Sequence, residues 1–250
     1  MYHRIVPGPE ITQGYGLTTS IGSFEKVLEY LLDNDFYFPT PEEFADDLET
    51  GVCRHKYAII TIDDSWNDPE AMGVVQVLLN HGGGGGADGS PKVWLGVVTR
   101  NIGKFKNEAG EWIDPWEHLK SLTDRDLIYV VSHSQTHPAE LIDKTNYHSG
   151  ANDQVYTLIA SEAGQSRNDI IQLLSYEPLF FIYPGGNVNQ FVADALAANG
   201  YTGAFTVSPG GLNGAYAYYL PRINGGVRCD DSPGDNSGCV ISQIELLQNK

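Results

Sequence analysis

Two short stretches of this chain hold residue types that could carry out hydrolysis. Thr61-Ile62-Asp63-Asp64 ends one apolar run, and His133-Ser134-Gln135-Thr136-His137 ends another. Two imidazoles four residues apart fall on one face if the chain enters a helical turn. With a carboxylate they make a three-ligand metal set that leaves a coordination position open for water. A second aspartate beside the first could act as the base that activates such a water. Taken alone, Asp-Asp before a helix also reads as a turn or capping pair. On a continuing strand, neighbouring side chains point to opposite faces, so Asp63 and Asp64 share a site only if the strand ends there and the chain turns. Ser65, Asn67, Asp68 and Pro69 supply turn chemistry directly afterwards. The pair is too close in sequence to flank a glycosidic bond from both sides, which argues against a two-carboxylate glycosidase.

The elements that must position these residues can be read from periodicity. Phe24, Val27, Leu28 and Leu31 repeat at helical spacing behind Ser23, which predicts a helix over 23–33 with Ser23 as N-cap. Thr40, Pro41 and Glu43 make a capping box for a second helix. Tyr57 to Ile62 reads as a buried strand, Pro69 to Leu79 as a helix and Lys92 to Val98 as a second buried strand. His81 and the five glycines Gly82 to Gly86 between them read as a flexible insertion, since a phosphate loop would follow a strand and carry Lys-Ser or Lys-Thr. Further along, the pattern predicts a helix over 116–122, a strand over 127–131 and one or two helices over 152–175. A strand over 179–183, a helix over 190–198 stopped by Gly200, and a strand over 204–207 follow. Alternating strands and helices imply an α/β fold with parallel strands, either closed as a barrel or wound as an open sheet. Asp63 and Asp64, His133, and Pro184 with its glycines each follow a strand, and parallel barrels gather their catalytic loops on that face, which favours the barrel. His55 and His118 read as surface residues, and His148 as a loop residue within reach of the site.

Composition narrows the partners. A length of 250 residues fits one α/β barrel or two small domains, and neither a repeat nor an interdomain linker is visible. The 15 basic against 32 acidic residues give a net charge of −17, which argues against nucleic acid and anionic membrane surfaces as partners. No apolar run approaches the length of a membrane span. The start Met1-Tyr2-His3-Arg4 lacks the apolar core of a secretion signal, so an export signal is absent or already removed. Cys229 and Cys239 bracket an Asp, Ser and Gly rich stretch that reads either as a disulfide loop or as two free thiols, with Cys53 left over.

The ordered series Thr61-Ile62-Asp63-Asp64, His133-Ser134-Gln135-Thr136-His137, Phe181-Ile182-Tyr183-Pro184-Gly185-Gly186 and Ala204-Phe205-Thr206-Val207 resembles the polysaccharide deacetylase family, the NodB-homology carbohydrate esterases. Tyr2-His3-Arg4-Ile5 and Leu220-Pro221-Arg222-Ile223 resemble its circularly rearranged branch, which includes poly-N-acetylglucosamine deacetylases. The resemblance implies a distorted (β/α) barrel of about seven parallel strands, with residues 1–250 forming a single catalytic domain. It implies that Asp64, His133 and His137 hold a divalent metal, most often zinc, and that Asp63 is the general base. His3, at the end of a short first strand, would be the general acid. Arg222 would orient Asp63, replacing an arginine that ordinary members place where this chain has Ile182. In the Pro184 segment, the Gly185 N–H would be an oxyanion donor. Tyr183, Trp66 and Trp116 would line a sugar-stacking cleft or pack in the core.

The implied activity is removal of N-acetyl groups from an N-acetylglucosamine-containing polysaccharide. O-acetyl ester or cyclic amide hydrolysis, or a metal-lacking glycan-binding relative, stand as alternatives. An extracellular or periplasmic location follows if an export signal was removed. The chain departs from the family's pattern at Ser65, where a glycine is usual, and at Gly185, where an aromatic is frequent. If the turn at Ser65 needs a positive φ, the substitution costs on the order of 1 kcal/mol.

Overall fold

The structure is a computed structural model that describes residues 1–8, 17–65, 67–107, 109–147, 152–210, 217–225 and 237–248. Trp66, His148, Cys229 and the stretch 230–236 lie outside the described residues. The strands are β1 (Arg4–Val6), β2 (Thr18–Ser20), β3 (Thr61–Ile62), β4 (Val93–Val97), β5 (Phe105–Lys106), β6 (Trp112–Ile113), β7 (Ile128–Ser132), β8 (Phe180–Ile182) and β9 (Gly203–Phe205). The helices are α1 (Ile21–Asp33), α2 (Pro41–Thr50), α3 (Val74–Asn80), α4 (Pro115–Asp124), α5 (Ala139–Ile142), α6 (Asn152–Leu174), α7 (Gln190–Ala198) and α8 (Ser237–Gln248).

A parallel sheet in the order β3-β4-β7-β8-β9 forms the centre, so the expected parallel α/β barrel architecture is present with five strands in the sheet rather than about seven. The remaining parallel pair, β1 with β2, does not extend that ladder. It is pinned to the β3 edge by one bridge, in which Tyr2 N–H donates to the Thr61 carbonyl (2.7 Å) and Asp63 N–H donates to the Tyr2 carbonyl (2.8 Å). At the opposite edge the segment leading to Leu220 bridges β9: Leu220 N–H donates to the Ala204 carbonyl (2.9 Å) and Thr206 N–H to the Leu220 carbonyl (2.8 Å). Gly225 N–H then donates to the Met1 carbonyl (2.7 Å), which brings the two edges together. The sheet curls, and irregular backbone completes its circumference.

Both faces of the sheet are buried, and side chains alternate between them as parallel strands require. Val93, Leu95, Val97, Ile128 and Val130 join Val27, Leu28, Val75, Leu119 and Leu122 in one core. Phe181 and Ala204 face Val155, Ile159, Val192 and Leu196 of α6 and α7. The inner positions Trp94, Phe180 and Phe205 pack with Phe44 of α2, with ring centroids 5.1–6.0 Å apart. Trp94 and Phe180 sit toward the strand starts, whereas Phe205 ends β9, and polar residues follow beyond the C-terminal ends.

Local chemistry explains most element boundaries. Thr40 and Glu43 form the expected capping box, each side chain bonding the other's backbone N–H. The expected cap of α1 is displaced: Ser20 Oγ accepts from Ser23 N–H (3.0 Å), and the helix starts at Ile21. The expected helix over 69–79 begins only at Val74, because Gly73 takes φ 82° and Asp68 bonds Glu70 N–H in a turn. Of the strand expected over 57–62 only Thr61 and Ile62 join the ladder. The glycine run is a tight turn. Gly82, Gly84 and Gly86 have positive φ, and a Cβ on Gly83 would lie 2.7 Å from the Pro91 carbonyl. Cys53 is an exposed free thiol and Cys239 is disulfide-bonded. No helix among the described residues is long and apolar enough to cross a membrane.

The loop after β3 depends on two contacts that can be tested. Asp64 (φ 76°) and Ser65 (φ 52°) both take left-handed backbone, which ends the strand and lets the two aspartates face one space. Buried Ser65 also accepts from Val98 N–H through Oγ (3.3 Å) and from Gly103 N–H through its carbonyl (3.1 Å). Ser65→Ala keeps the strain and orphans Val98 N–H, so a loss of about 1–2 kcal/mol is expected in denaturant unfolding. Ser65→Gly relieves about 1 kcal/mol of strain while losing the same bond, and should unfold within roughly 1 kcal/mol of wild type.

Further along this loop, Asp68 accepts from His118 Nε2 (3.1 Å), with Glu70 at 3.6 Å. His118 is therefore largely buried rather than a surface residue, whereas His55 is exposed, as expected. The bond to Asp68 raises the His118 pKa above its ordinary 6.5. A raised folded-state pKa adds stability that is fully present below the unfolded value and is lost as pH rises through the folded one. Proton NMR should place the His118 midpoint above 6.5, and His118→Gln should flatten the decline in stability seen on raising pH through that midpoint.

Candidate functional site

Asp63 and Arg222 form the buried centre of the site. Arg222 Nη1 donates to Asp63 Oδ1 (2.7 Å) and to Thr61 Oγ1 (3.0 Å), and Nε donates to the Thr206 carbonyl at the end of β9 (2.8 Å). Both side chains are almost fully buried. Burial pushes the Asp63 carboxyl upward, but Arg222 and then His133 outweigh it and hold the carboxyl at about 2. Asp63 is therefore anionic at any ordinary pH. His3 Nε2 lies 3.8 Å from Asp63 Oδ2. Burial lowers the His3 pKa against the opposing pull of Asp63 and Asp64, so its ring is neutral at pH 7. His3 lies between the bridged Tyr2 and β1, at the start of that strand and not at its end as expected.

Asp64, His133 and His137 converge beside this pair. One ligand atom from each lies within 4.8 Å of the other two. Asp64 Oδ1 is 3.4 Å from His133 Nε2 and 3.8 Å from His137 Nε2. His133 Nδ1–H donates to the Ile182 carbonyl (2.8 Å), which orients the ring with Nε2 toward Asp64. Burial and then His133 lower the His137 pKa, favouring the neutral ring that can ligate. Asp64 stays ionised: burial raises its carboxyl, but contact with His133 outweighs this. One carboxylate oxygen and two imidazole nitrogens, with the remaining ring nitrogen of His133 anchored, fit a divalent metal of the zinc type.

The two histidines do not meet through a helical turn. The chain after β7 is an open loop, left-handed at Ser134 (φ 72°) and at His137 (φ 55°). His137 N–H donates to Ser134 Oγ (2.9 Å), which closes the loop on itself. Each of these non-glycine left-handed residues costs about 1–2 kcal/mol, which the surrounding bonds must offset.

Sequence reasoning missed several residues that permit this arrangement. Gly96 in the middle of β4 is one, because a Cβ there would sit 2.9 Å from Ile182 Cδ1 and 3.5 Å from Asp63 Cα and His133 Cβ. A glycine inside an apolar strand was the available signal. Glu162 and Asp169 of α6 were invisible, since a carboxylate on a long helix carries no local mark of what it meets.

The substrate-side expectations divide. Tyr183 is 1% exposed, packs on Phe181, and donates its hydroxyl to the Tyr218 carbonyl (3.1 Å). It is a core residue and not a wall for sugar stacking, because its polar end is already satisfied inside the protein. Pro184 is also buried, and Trp116 packs half-buried against the core. Gly185 follows β8 in the turn Pro184–Gly186 at φ 64°, and a Cβ there would lie 3.2 Å from Ile142 Cγ2. Strained backbone and Ile142 together account for the missing aromatic. Trp66 and His148 fall outside the described residues.

Sequence searches match neither a protein-family profile nor a curated protein. Solved structures do match. IcaB from Ammonifex degensii is 18% identical with a TM-score of 0.67, covering 98% of this chain and 97% of its own. A de-N-acetylase from Aggregatibacter actinomycetemcomitans is 16% identical with a TM-score of 0.68, over 98% and 97% of the two chains. Streptococcus pyogenes deacetylase PplD, solved with acetate, is 20% identical with a TM-score of 0.63, over 90% and 93%. Along nearly its whole length, this chain has the fold of the polysaccharide deacetylases.

Proposed function

We propose that the chain is a metal-dependent hydrolase that removes N-acetyl groups from an N-acetylglucosamine-containing polysaccharide. The convergence of Asp64, His133 and His137 next to the Asp63–Arg222 pair and His3 carries this reading. The neighbours named as deacetylases add support from the fold. A divalent metal, most readily zinc, would be held by Asp64, His133 and His137 and would supply Lewis acidity and a water of lowered pKa.

The chain's own residues then divide the proton work. Asp63 is anionic and accepts the proton of the attacking water. Arg222 makes it a weak base, so it does not retain that proton. Neutral His3, 3.8 Å away, takes it up and delivers it to the departing amine, which is a very poor leaving group without it. The Gly185 N–H donates to the carbonyl oxygen as that oxygen gains negative charge. The net charge of −17 suits a product that gains positive charge. The disulfide-bonded Cys239 supports a location outside the reducing cytoplasm.

Acetate release from acetylated chitooligosaccharides, compared with acetylated xylan, tests the substrate class. Faster release from the chitooligosaccharides is expected, and preference for xylan would replace the amide reading with an ester one. Asp63→Asn should lower turnover at least ~100-fold while metal content, read by elemental analysis, stays near wild type. Retained turnover would remove Asp63 as the proton acceptor. His3→Ala should slow amide cleavage more than ester cleavage, and equal losses on both would count against its role as proton donor.

A further inference from the structure

The loop joining the two candidate ligand histidines has its carbonyls and its N–H groups tied to different elements. Thr99 N–H donates to the Ser134 carbonyl (3.3 Å) and Arg100 N–H to the Gln135 carbonyl (2.9 Å), both from the loop after β4. The N–H groups of Gln135 and Thr136 end on one carboxylate of α6: Glu162 Oε2 accepts them at 2.9 and 2.7 Å. Glu162 Oε1 accepts the Thr136 hydroxyl at 2.8 Å. Glu162 is 8% exposed and lies on a helix that supplies no ligand. Two turns further on, Asp169 accepts from the Gln135 side chain (3.2 Å) and from Thr99 Oγ1 (2.7 Å), which joins the two loops through the same helix.

Two successive backbone N–H groups reach one acceptor only when the chain is bent into a concave turn, as left-handed Ser134 and His137 make it here. A carboxylate has two oxygens and no proton, so it can take all three donors at once. An amide in its place offers one acceptor oxygen and turns an NH2 group toward the remaining donors. We propose that Glu162 is a positioning residue for the metal ligands, setting the loop curvature that aims His133 and His137 at Asp64. This rests on the reading that those three residues hold a divalent metal.

The test uses the full chain stripped with a chelator, then titrated with Zn2+ against a chromophoric competitor and with Co2+ followed by absorption. Wild type, Glu162→Gln and Glu162→Asp are compared, with Tm measured on each. Glu162→Gln should bind Zn2+ about 10–100-fold more weakly, with an altered Co2+ spectrum. Hydrogen exchange on the metal-free protein should show Gln135 and Thr136 amides protected in wild type and exposed in the variant. A lower Tm with Zn2+ affinity within about twofold of wild type and an unchanged Co2+ spectrum would make Glu162 a stability residue only and overturn the proposal. If Glu162→Gln does not fold, Glu162→Asp, which keeps the charge but shortens the reach, is read against the same two outcomes. Wild type that binds neither ion would overturn the metal reading and this proposal together.

Discussion

The buried ion pair between Asp63 and Arg222 is the constraint on which the rest of this structure depends. Asp63 directly follows the first strand of the central sheet, and Arg222 follows the segment that bridges the last one. Through Nε on the Thr206 carbonyl and Nη1 on Thr61 and Asp63, one guanidinium spans both edges of the sheet. A ladder of strands could close the circumference by backbone bonds alone. Here a charged pair adds to the backbone bond from Gly225 to Met1, and removing one partner of such a pair typically costs about 3–5 kcal/mol because the other charge is left buried. The net contribution of an intact buried pair to stability is small by comparison.

The same pair sets the electrostatics of the site. Holding Asp63 as an anion costs basicity, and the neutral His3 beside it has the complementary property. Two carboxylates on adjacent residues thereby differ in surroundings: Asp63 faces a guanidinium, while Asp64 faces two imidazoles. The left-handed residues Asp64, Ser65, Ser134 and His137 lie in the two loops that present these groups. Strain of this kind persists only where surrounding bonds over-determine it. Ser65 is held by Val98 and Gly103, and the histidine loop by Thr99, Arg100 and Glu162. The loop after β4 thus serves both neighbours, and Gly96 within β4 gives them room to approach.

The division along the strands has a simple physical origin. Trp94, Phe180 and Phe205 fill the inner face, and a packed core there excludes water and fixes strand spacing. At the C-terminal ends the backbone leaves the ladder, its N–H and C=O groups need new partners, and polar side chains become affordable. The Ile182 carbonyl, freed where β8 ends, anchors His133.

Much of this was legible in the sequence because it is local. Short apolar runs located β4, β7, β8 and β9, the Thr40–Glu43 box fixed α2, and α7 matches its predicted span. The Asp-Asp pair before turn residues and the paired histidines after a strand marked the candidate site. Other features depend on contacts between residues far apart in sequence. Helical spacing suggested a turn for His133 and His137, whereas the loop conformation is set by donors and acceptors on β4 and α6 that spacing does not reveal. Tyr183 read either as a sugar-stacking wall or as core, and that choice rests on Tyr218, 35 residues away, whose carbonyl accepts its hydroxyl. The strand count differs because β1 and β2 attach by a single bridge, and bridging is settled by packing rather than by propensity. The sequence by itself determined which residue types could do chemistry and which strands would carry them. Only the tertiary structure decided how they are held, because Arg222 reaches Asp63 across 159 positions and no local signal encodes that closure.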